Sequence, residues 1–241
     1  AACGEETVLL VPSDHGFSSF RRGVNLNNWL HEKGYLAIRE SGGEGTVVQV
    51  ANLYDPGKLF GYVDWSKTKA YSLGLGKIYL NIRGREPNGV VEPGDAPRVA
   101  AEIARALEEY RDPETGERVV RRCYAKEEIY TGSHVEGSAD LILGFEEGYR
   151  VSWQSTLGGI DPPKEVDGKP AFGRVILPND QPWSGDHCSL DPSVVPGIFF
   201  SNRRFALPEG GPDVLHVAPT ALSLLGVPVP AEMDRAPLAL R

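Results

Sequence analysis

Residues 7–36 read TVLLVPSDHGFSSFRRGVNLNNWLHEKGYL, and this stretch decides the predicted fold. The continuous apolar run 7–12 predicts a strand buried on both faces, and it ends in the polar cluster Ser-Asp-His-Gly at 13–16. Apolar side chains at helical spacing then predict a helix over 24–36 that stops at Gly34. The predicted helical stripe comprises Val24, Leu26, Trp29 and Leu30. Because ligands bind at the carboxyl ends of strands in open α/β sheets, the cluster at 13–16 is the first candidate site.

Strand and helix patterns alternate along the rest of the chain. A helix with Pro97 in its first turn is predicted up to Asp112, and its core-facing residues are Val99, Ile103, Leu107 and Tyr110. Further strands are predicted at 117–124, 139–145 and 197–201, and a closing helix at 213–225 capped by Gly226. We therefore expect one α/β domain over 1–241, an α/β/α sandwich with a mostly parallel central sheet, carrying a strand- and loop-rich insertion around 41–95.

Composition narrows the classes of partner. The 41% hydrophobic and 24% charged content is that of an ordinary folded chain, which excludes disorder as the dominant state. With 25 basic against 33 acidic residues, the net charge of −8 argues against a nucleic-acid-binding surface. Apolar runs are too short for a membrane span. We therefore expect no membrane partner. The three cysteines fit neither a disulfide framework nor a paired zinc motif, so we expect a reducing, cytoplasmic location.

Two places in the sequence offer metal-ligand chemistry. Asp14 and His15 are adjacent at a predicted strand end and supply a carboxylate oxygen and an imidazole nitrogen, which zinc and manganese both accept. The alternative is an Asx-type turn with a solvated histidine. His187, beside Asp186, is the second candidate, and its alternative is a surface-loop histidine. The remaining histidines are predicted to be exposed (His31), packed and hydrogen-bonded (His216), or without an assigned role (His134).

Basic and amide groups concentrate at 67–88 in an otherwise acidic chain. Lys69, Tyr71, Arg83 and Arg85 are candidates for binding an anionic substrate, since arginine grips phosphate or carboxylate bidentately. The alternative for the two arginines, slightly favoured, is a structural ion pair with Glu86 beside a turn.

Four blocks in order carry a resemblance to a known family. They are VLLVPSDHGFSSFRRGVNLNNWLHEKGYL at 8–36, DWSKTKAYSLGLGKIYLNIRGREPNG at 64–89, GDHCSLDPSVVPGIFFSNR at 185–203, and DVLHVAPTALSLLGVPVPAEMD at 213–234. Together they resemble the type I phosphodiesterase/nucleotide pyrophosphatase branch of the alkaline phosphatase superfamily. Four ordered blocks are far more specific than one Asp-His pair.

The resemblance implies an alkaline-phosphatase-like fold and a two-metal site that hydrolyses a phosphate ester. It implies Asp14 and His15 on one divalent ion and His187 on the other, with zinc expected and manganese as the alternative. Two such cations lower the pKa of a nucleophile and neutralise the phosphoryl oxygens.

The chain also departs from the family pattern. The family's nucleophile and its other metal ligands precede the Asp-His-Gly strand, and only thirteen residues precede Asp14 here. We therefore expect a carboxyl-terminal portion of the domain, with the nucleophile segment upstream and a sheet incomplete on its N-terminal side. Its exposed edge would pair with that upstream half or with a second copy. The alternative is a non-catalytic metal-binding or interaction module. Ser13 and Cys188 are weak candidates for a nucleophile within the chain.

Overall fold

The computed structural model describes residues 4, 6–39, 59–160, 164–166, 169–171 and 173–241. The chain divides into two compact units. The terminal unit comprises residues 1–16 and 195–241, and the central unit comprises residues 17–194. The part of the predicted insertion at 41–58 lies outside the described residues.

Among the described residues, strands outnumber helices in both units. The helices are α1 (Leu26–Glu32), α2 (Ala96–Glu108), α3 (Lys126–Ile129), α4 (Trp153–Thr156) and α5 (Val217–Leu224). The strands are β1 (Leu10–Pro12), β2 (Ser18–Val24), β3 (Ala70–Ser72), β4 (Lys77–Leu80), β5 (Val120–Ala125), β6 (Leu141–Phe145), β7 (Gly148–Val151), β8 (Lys164–Val166), β9 (Lys169–Ala171), β10 (Ile176–Pro178), β11 (Gly185–Asp186) and β12 (Phe199–Ser201).

The terminal unit is a two-stranded ribbon followed by a helix. Strand β1 pairs antiparallel with β12, and Val11 lies opposite Phe200. The closing helix begins as a 3-10 turn, in which Asp213 accepts the Leu215 amide and the amide of Asp213 donates to His216. It continues as α5, and Gly226 follows with a φ of 70°. The predicted closing helix and its glycine cap are confirmed, as is the hydrogen-bonded state of His216.

The first sheet of the central unit has the strand order β3-β4-β6-β5, with every pairing antiparallel. Helix α2 packs on β5 through the predicted residues Val99, Ile103 and Leu107, which are all buried. Strands β3 and β4 form a hairpin whose turn carries Gly74 and Gly76 at φ of 83° and 67°. The positive φ values explain why glycine stands at both positions.

The second sheet of the central unit is built on β2. Strands β10 and β11 pair with β2 antiparallel, and β7 pairs with it in parallel. Helix α1 follows β2 directly and contacts β3. The residues of the predicted helical stripe are buried, but Val24 closes β2 and the helix begins only at Leu26. Helix α1 ends at Glu32, shortly before the predicted stop at Gly34, which has a φ of 76°.

The expectation of a mixed α/β chain is confirmed, but the expected mostly parallel sheet is wrong. Among the described strands, pairing is antiparallel except between β2 and β7. The apolar run before Asp14 was the basis of the parallel prediction, yet Leu9 and Val11 in it are 45% and 43% exposed. A short apolar run does not distinguish strand directions, whereas tight connections such as the β3–β4 turn impose antiparallel pairing.

A buried asparagine also holds helix α1 in place. Asn27 is fully buried, its side-chain amide donates to the Ser72 and Gly159 carbonyls, and its side-chain oxygen accepts the Ser72 amide. A buried amide is tolerated when its donors and acceptor are satisfied in this way. Asn27 therefore fixes α1 to the start of the first sheet.

A buried carboxylate organises the middle of the first sheet. Asp140 is 6% exposed, accepts two hydrogen bonds from Arg85 at 2.8 and 2.6 Å, and also accepts from the Leu80 amide and Lys126. Burial alone would raise the pKa of Asp140, but these bonds together hold that pKa below its usual value.

We expect Asp140→Asn to lower the free energy of unfolding by about 3 kcal/mol at neutral pH, because it leaves two cations without their carboxylate. Since the pKa is lowered in the folded state, this stabilisation is complete above the unfolded pKa of about 3.9 and is lost as the pH falls through the folded value. Urea unfolding of both proteins from pH 7 to pH 3 measures it. The exposed pair Arg122–Glu128 gives the control, Glu128→Gln, which should change stability by less than about 0.5 kcal/mol. Equal losses in the two variants would contradict the role of Asp140.

One face of the ribbon β1–β12 is apolar and exposed. Leu9, Val11, Ile198 and Phe200 lie on it, since alternate residues share a face and Val11 is opposite Phe200, and each is 43% exposed or more. Among the described strands, only β12 pairs with β1.

A search of the described helices for a membrane-spanning segment found none of sufficient length and apolar character.

We propose that a second copy of the chain associates through this ribbon. Among the described strands β1 pairs on one edge only, and an exposed apolar edge favours pairing with another strand. Light scattering is expected to show a mass that rises with concentration, and Val11→Lys should shift it to the monomer. A wild-type chain that stays monomeric at high concentration would contradict the proposal.

Candidate metal centre

The loop that follows β1 is held by backbone contacts with the segment before β12. The Ser13 amide donates to the Ile198 carbonyl at 2.9 Å, and the Ile198 amide donates to the Ser13 hydroxyl at 2.9 Å. The Gly16 amide donates to the Val195 carbonyl at 2.8 Å. Hydrogen bonds therefore hold the loop 13–16 at both ends, and Asp14 and His15 lie between the two held positions.

Asp14 and His15 come together on this loop. The Asp14 Oδ2 atom lies 3.4 Å from His15 Nε2. His15 Nδ1 is 2.8 Å from the Gly16 carbonyl, which only accepts, so Nδ1 carries the hydrogen of this bond. In the neutral ring Nε2 then holds the lone pair, the arrangement that a metal-binding imidazole has. Asp14 is exposed and His15 half-buried, so both are accessible from solvent.

Asp14 stands beside a cleft of about 560 Å³ within the terminal unit. Apolar side chains line much of it, including Ile198, Leu207 and Val217, and Gly210 and Gly211 form part of its rim. The cleft is large enough for a small organic group next to the Asp14 carboxylate.

His187 lies in the central unit, where β11 positions it. Strand β11 pairs with Ser18 and Ser19 of β2, and the Phe17 ring lies 5.2 Å from the His187 ring. A Cβ at Gly185 would lie 2.3 Å from the Phe17 ring, so a larger residue there would require Phe17 to move. The pairing of β11 with β2 thus fixes the backbone just before His187, and the Phe17 ring packs against the imidazole.

Two neighbours of His187 complete a group of possible metal ligands. Ligand atoms of Asp186, His187 and Cys188 all lie within 4.8 Å of one another, an arrangement that can hold a metal ion. Asp186 is buried and accepts the Ser189 hydroxyl, while Cys188 is exposed. Of these three residues the sequence named only His187 as a ligand; the signal for the others was their adjacency in the run Gly-Asp-His-Cys.

The predicted metal ligands thus fall in both units, two in the terminal unit and one in the central unit. The donor set of carboxylate oxygen, imidazole nitrogen and thiol sulfur fits a borderline divalent cation.

Of the two candidate nucleophiles, Ser13 has the structural role of a strand-end hydroxyl bonded to backbone. Cys188 is exposed, so it is not a partly buried structural thiol.

The candidate anion-binding residues have partners within the fold. Arg85 is bonded to Asp140 and lies 3.3 Å from Glu86, as its structural alternative required, while Arg83 pairs with Glu92 at 2.8 Å. The Tyr71 hydroxyl donates to Glu86 at 3.4 Å, and burial raises the pKa of Tyr71. Lys69 is exposed and lines a small cleft with Tyr35. Substrate binding by these four residues stays a prediction.

The other two histidines have local roles. His31, predicted to be exposed, is half-buried and its Nδ1 lies 2.8 Å from the Leu36 carbonyl. His134 is exposed and begins a 3-10 turn.

Comparison with known proteins decides the family. The model of the family described as type I phosphodiesterase/nucleotide pyrophosphatase matches residues 2–168, more than two thirds of the chain. The chain belongs to this family. A search of curated proteins found no significant match. The matched part of the chain includes Asp14 and His15 and ends before His187.

Membership confirms the resemblance read from the four sequence blocks, and it supports phosphoester hydrolysis as the family-level activity. The first two blocks lie within the matched residues, and the blocks that begin at Gly185 and Asp213 lie beyond them. Among the predicted metal ligands, Asp14 and His15 lie within the residues that match the family model, and the structure describes both of them.

Glycine at position 16 is a structural requirement of this site. A Cβ there would lie 2.6 Å from the Pro196 carbonyl oxygen and 3.1 Å from the Val195 carbonyl carbon. Gly197 is tight in the same way, since its Cβ would lie 2.6 Å from the Ser13 carbonyl oxygen. The two chain segments approach closely because neither position has a side chain.

We expect Gly16→Ala to lower the free energy of unfolding by about 1–3 kcal/mol and to weaken cation binding at Asp14 and His15, because the loop must move away from Pro196. Urea unfolding and zinc titration calorimetry measure the two effects. Gly94→Ala is the matched control, since a Cβ at Gly94 would meet nothing within 4 Å. A Gly16→Ala protein with the stability and zinc affinity of that control would contradict the requirement.

Proposed function

We propose that this protein is a metal-dependent phosphohydrolase or phosphodiesterase that acts on a phosphate ester of a small molecule. The observation that carries the proposal is the Asp14–His15 pair at the end of β1, with Oδ2 and Nε2 3.4 Å apart, in a chain of the type I phosphodiesterase family. The pair offers a hard oxygen and a nitrogen lone pair from one rigid loop, which is the donor combination of hydrolytic zinc sites.

Two divalent cations are the proposed cofactors, held by Asp14 and His15 at one position and by His187 at the other. A divalent cation bound at either position would supply charge neutralisation of phosphoryl oxygens and activation of a nucleophile. The residues of the chain do the positioning: the Gly16 carbonyl holds the His15 ring through Nδ1, and Phe17 packs against the His187 ring. Orientation of a ligand by such neighbours commonly sets metal affinity.

The cleft beside Asp14 is the proposed place for the organic part of the ester. Ile198, Leu207 and Val217 give part of its lining an apolar character, and Asp14 also lines it. A phosphoryl group near Asp14 would leave the attached organic group against that apolar lining. The nucleophile is proposed to come from a segment outside residues 1–241, as the family resemblance implies, while the Ser13 hydroxyl has a structural role as acceptor for the Ile198 amide.

We expect His15→Asn and His187→Asn each to weaken binding of zinc by at least tenfold, which is about 1.4 kcal/mol per site. Isothermal titration with Zn²⁺ measures the loss. His134→Asn is the control, since that side chain is exposed in a loop. Hydrolysis of a nitrophenyl phosphate monoester and of a bis-nitrophenyl diester is measured on the same proteins, with and without the segment encoded upstream.

The longer protein is expected to turn over at least one ester and to lose that activity in both variants. Full activity of either variant would contradict the proposed ligands. A longer protein that binds no metal and stays inert would contradict the enzyme, and would favour the non-catalytic module instead.

A further inference from the structure

We propose that Cys188 is a metal ligand and that the site at residues 186–188 therefore takes a thiophilic divalent cation, zinc rather than manganese. The proposal rests on the proposed role of His187 as a ligand and goes beyond it, because it names a further donor and the class of ion selected. The observation is that Cys188 Sγ lies 2.9 Å from His187 Nε2.

The separation of these two atoms suits a shared ion. Zinc lies about 2.3 Å from a thiolate sulfur and about 2.0 Å from an imidazole nitrogen, so the two donors stand about 3.5 Å apart on one tetrahedral ion. Cys188 is exposed, so neighbouring side chains do not prevent its side chain from rotating. A small rotation would increase the distance between Sγ and Nε2 to the value needed on one ion. The thiol loses its proton to solvent as the sulfur–metal bond forms, and no oxidant or reductant is needed.

Asp186, two residues before Cys188, offers a third donor. Its carboxylate is 5% exposed, accepts the Ser189 hydroxyl at 3.0 Å through Oδ2, and has Oδ1 3.8 Å from the Arg150 guanidinium. A carboxylate has about four acceptor positions, so these neighbours leave it able to bind a cation. Its ligand atom lies within 4.8 Å of those of His187 and Cys188.

The surroundings hold Asp186 in place more firmly than Cys188. Arg150 is 3% exposed and its guanidinium lies over the Phe20 and Trp153 rings at 5.0 and 4.5 Å. The Ser189 hydroxyl that donates to Asp186 also accepts the Val151 amide at 3.1 Å. The site thus combines an anchored carboxylate, an imidazole covered by Phe17, and a thiol at the solvent side.

The thiol decides the choice of metal that the other donors leave open. Carboxylate and imidazole groups suit both zinc and manganese, whereas a thiolate binds zinc, cobalt or cadmium in strong preference to manganese. A serine at position 188 would keep the size of the side chain and remove that preference.

The test uses Co²⁺ as a spectroscopic probe on chains that all carry Cys3→Ser, so that Cys188 and the buried Cys123 are the remaining thiols. We expect a thiolate-to-cobalt charge-transfer band in this parent and in the control Cys123→Ala, and no such band in Cys188→Ser. Competition between Zn²⁺ and Mn²⁺ should show the preference for zinc falling by about tenfold or more in Cys188→Ser. A band or a zinc preference that survives Cys188→Ser would overturn the proposal.

A second measurement needs no variant of Cys188. Bound Zn²⁺ is expected to protect Cys188 from alkylation by iodoacetamide, and His187→Asn is expected to remove the protection. If His187→Asn keeps full zinc affinity, the proposed function fails at that residue. If His187→Asn loses zinc while zinc leaves Cys188 fully reactive in the parent, the thiol ligand alone is wrong.

Discussion

The site depends on one close approach between two backbone segments far apart in the sequence. Ser13 and Ile198, separated by 185 positions, exchange hydrogen bonds, and the Gly16 amide reaches the Val195 carbonyl. The approach is possible because a Cβ at Gly16 or Gly197 would collide with carbonyl oxygen at 2.6 Å. These contacts join the two parts of the terminal unit and fix the loop that carries Asp14 and His15. A side chain at either glycine would move the candidate ligands Asp14 and His15.

The local chemistry of each ligand follows from what the backbone already does. The Gly16 carbonyl lies 2.8 Å from His15 Nδ1 and orients the ring, and Asp14 Oδ2 lies 3.4 Å from Nε2. In the central unit the pairing of β11 with β2 sets the position of His187, while Cys188 and Asp186 follow because they are its neighbours in sequence. Adjacent residues can serve one ion in both places because the chain turns at, or just after, a strand end.

The sequence predicted best where burial alone decides structure. Leu26, Trp29 and Leu30 at helical spacing gave α1, and the capping glycine gave its end. Asn27 could not be predicted as buried, because its burial depends on the Ser72 and Gly159 carbonyls, which the sequence does not place beside it. Strand direction failed for the same reason: an apolar run records burial, whereas direction depends on the connection to the next strand. Asp140 meets Arg85 across 55 positions, which no local pattern reveals.

For the site, sequence reasoning found the Asp-His pair and His187 from residue types and the family resemblance, and the structure supplied the tautomer-setting carbonyl and the thiol beside Nε2. We propose that this chain of the type I phosphodiesterase family holds two metal ions through Asp14, His15 and His187. The number of zinc ions that each chain retains after equilibrium dialysis, measured by elemental analysis, tests this proposal. We expect two ions per chain, and a folded chain that retains none would contradict metal binding at these residues.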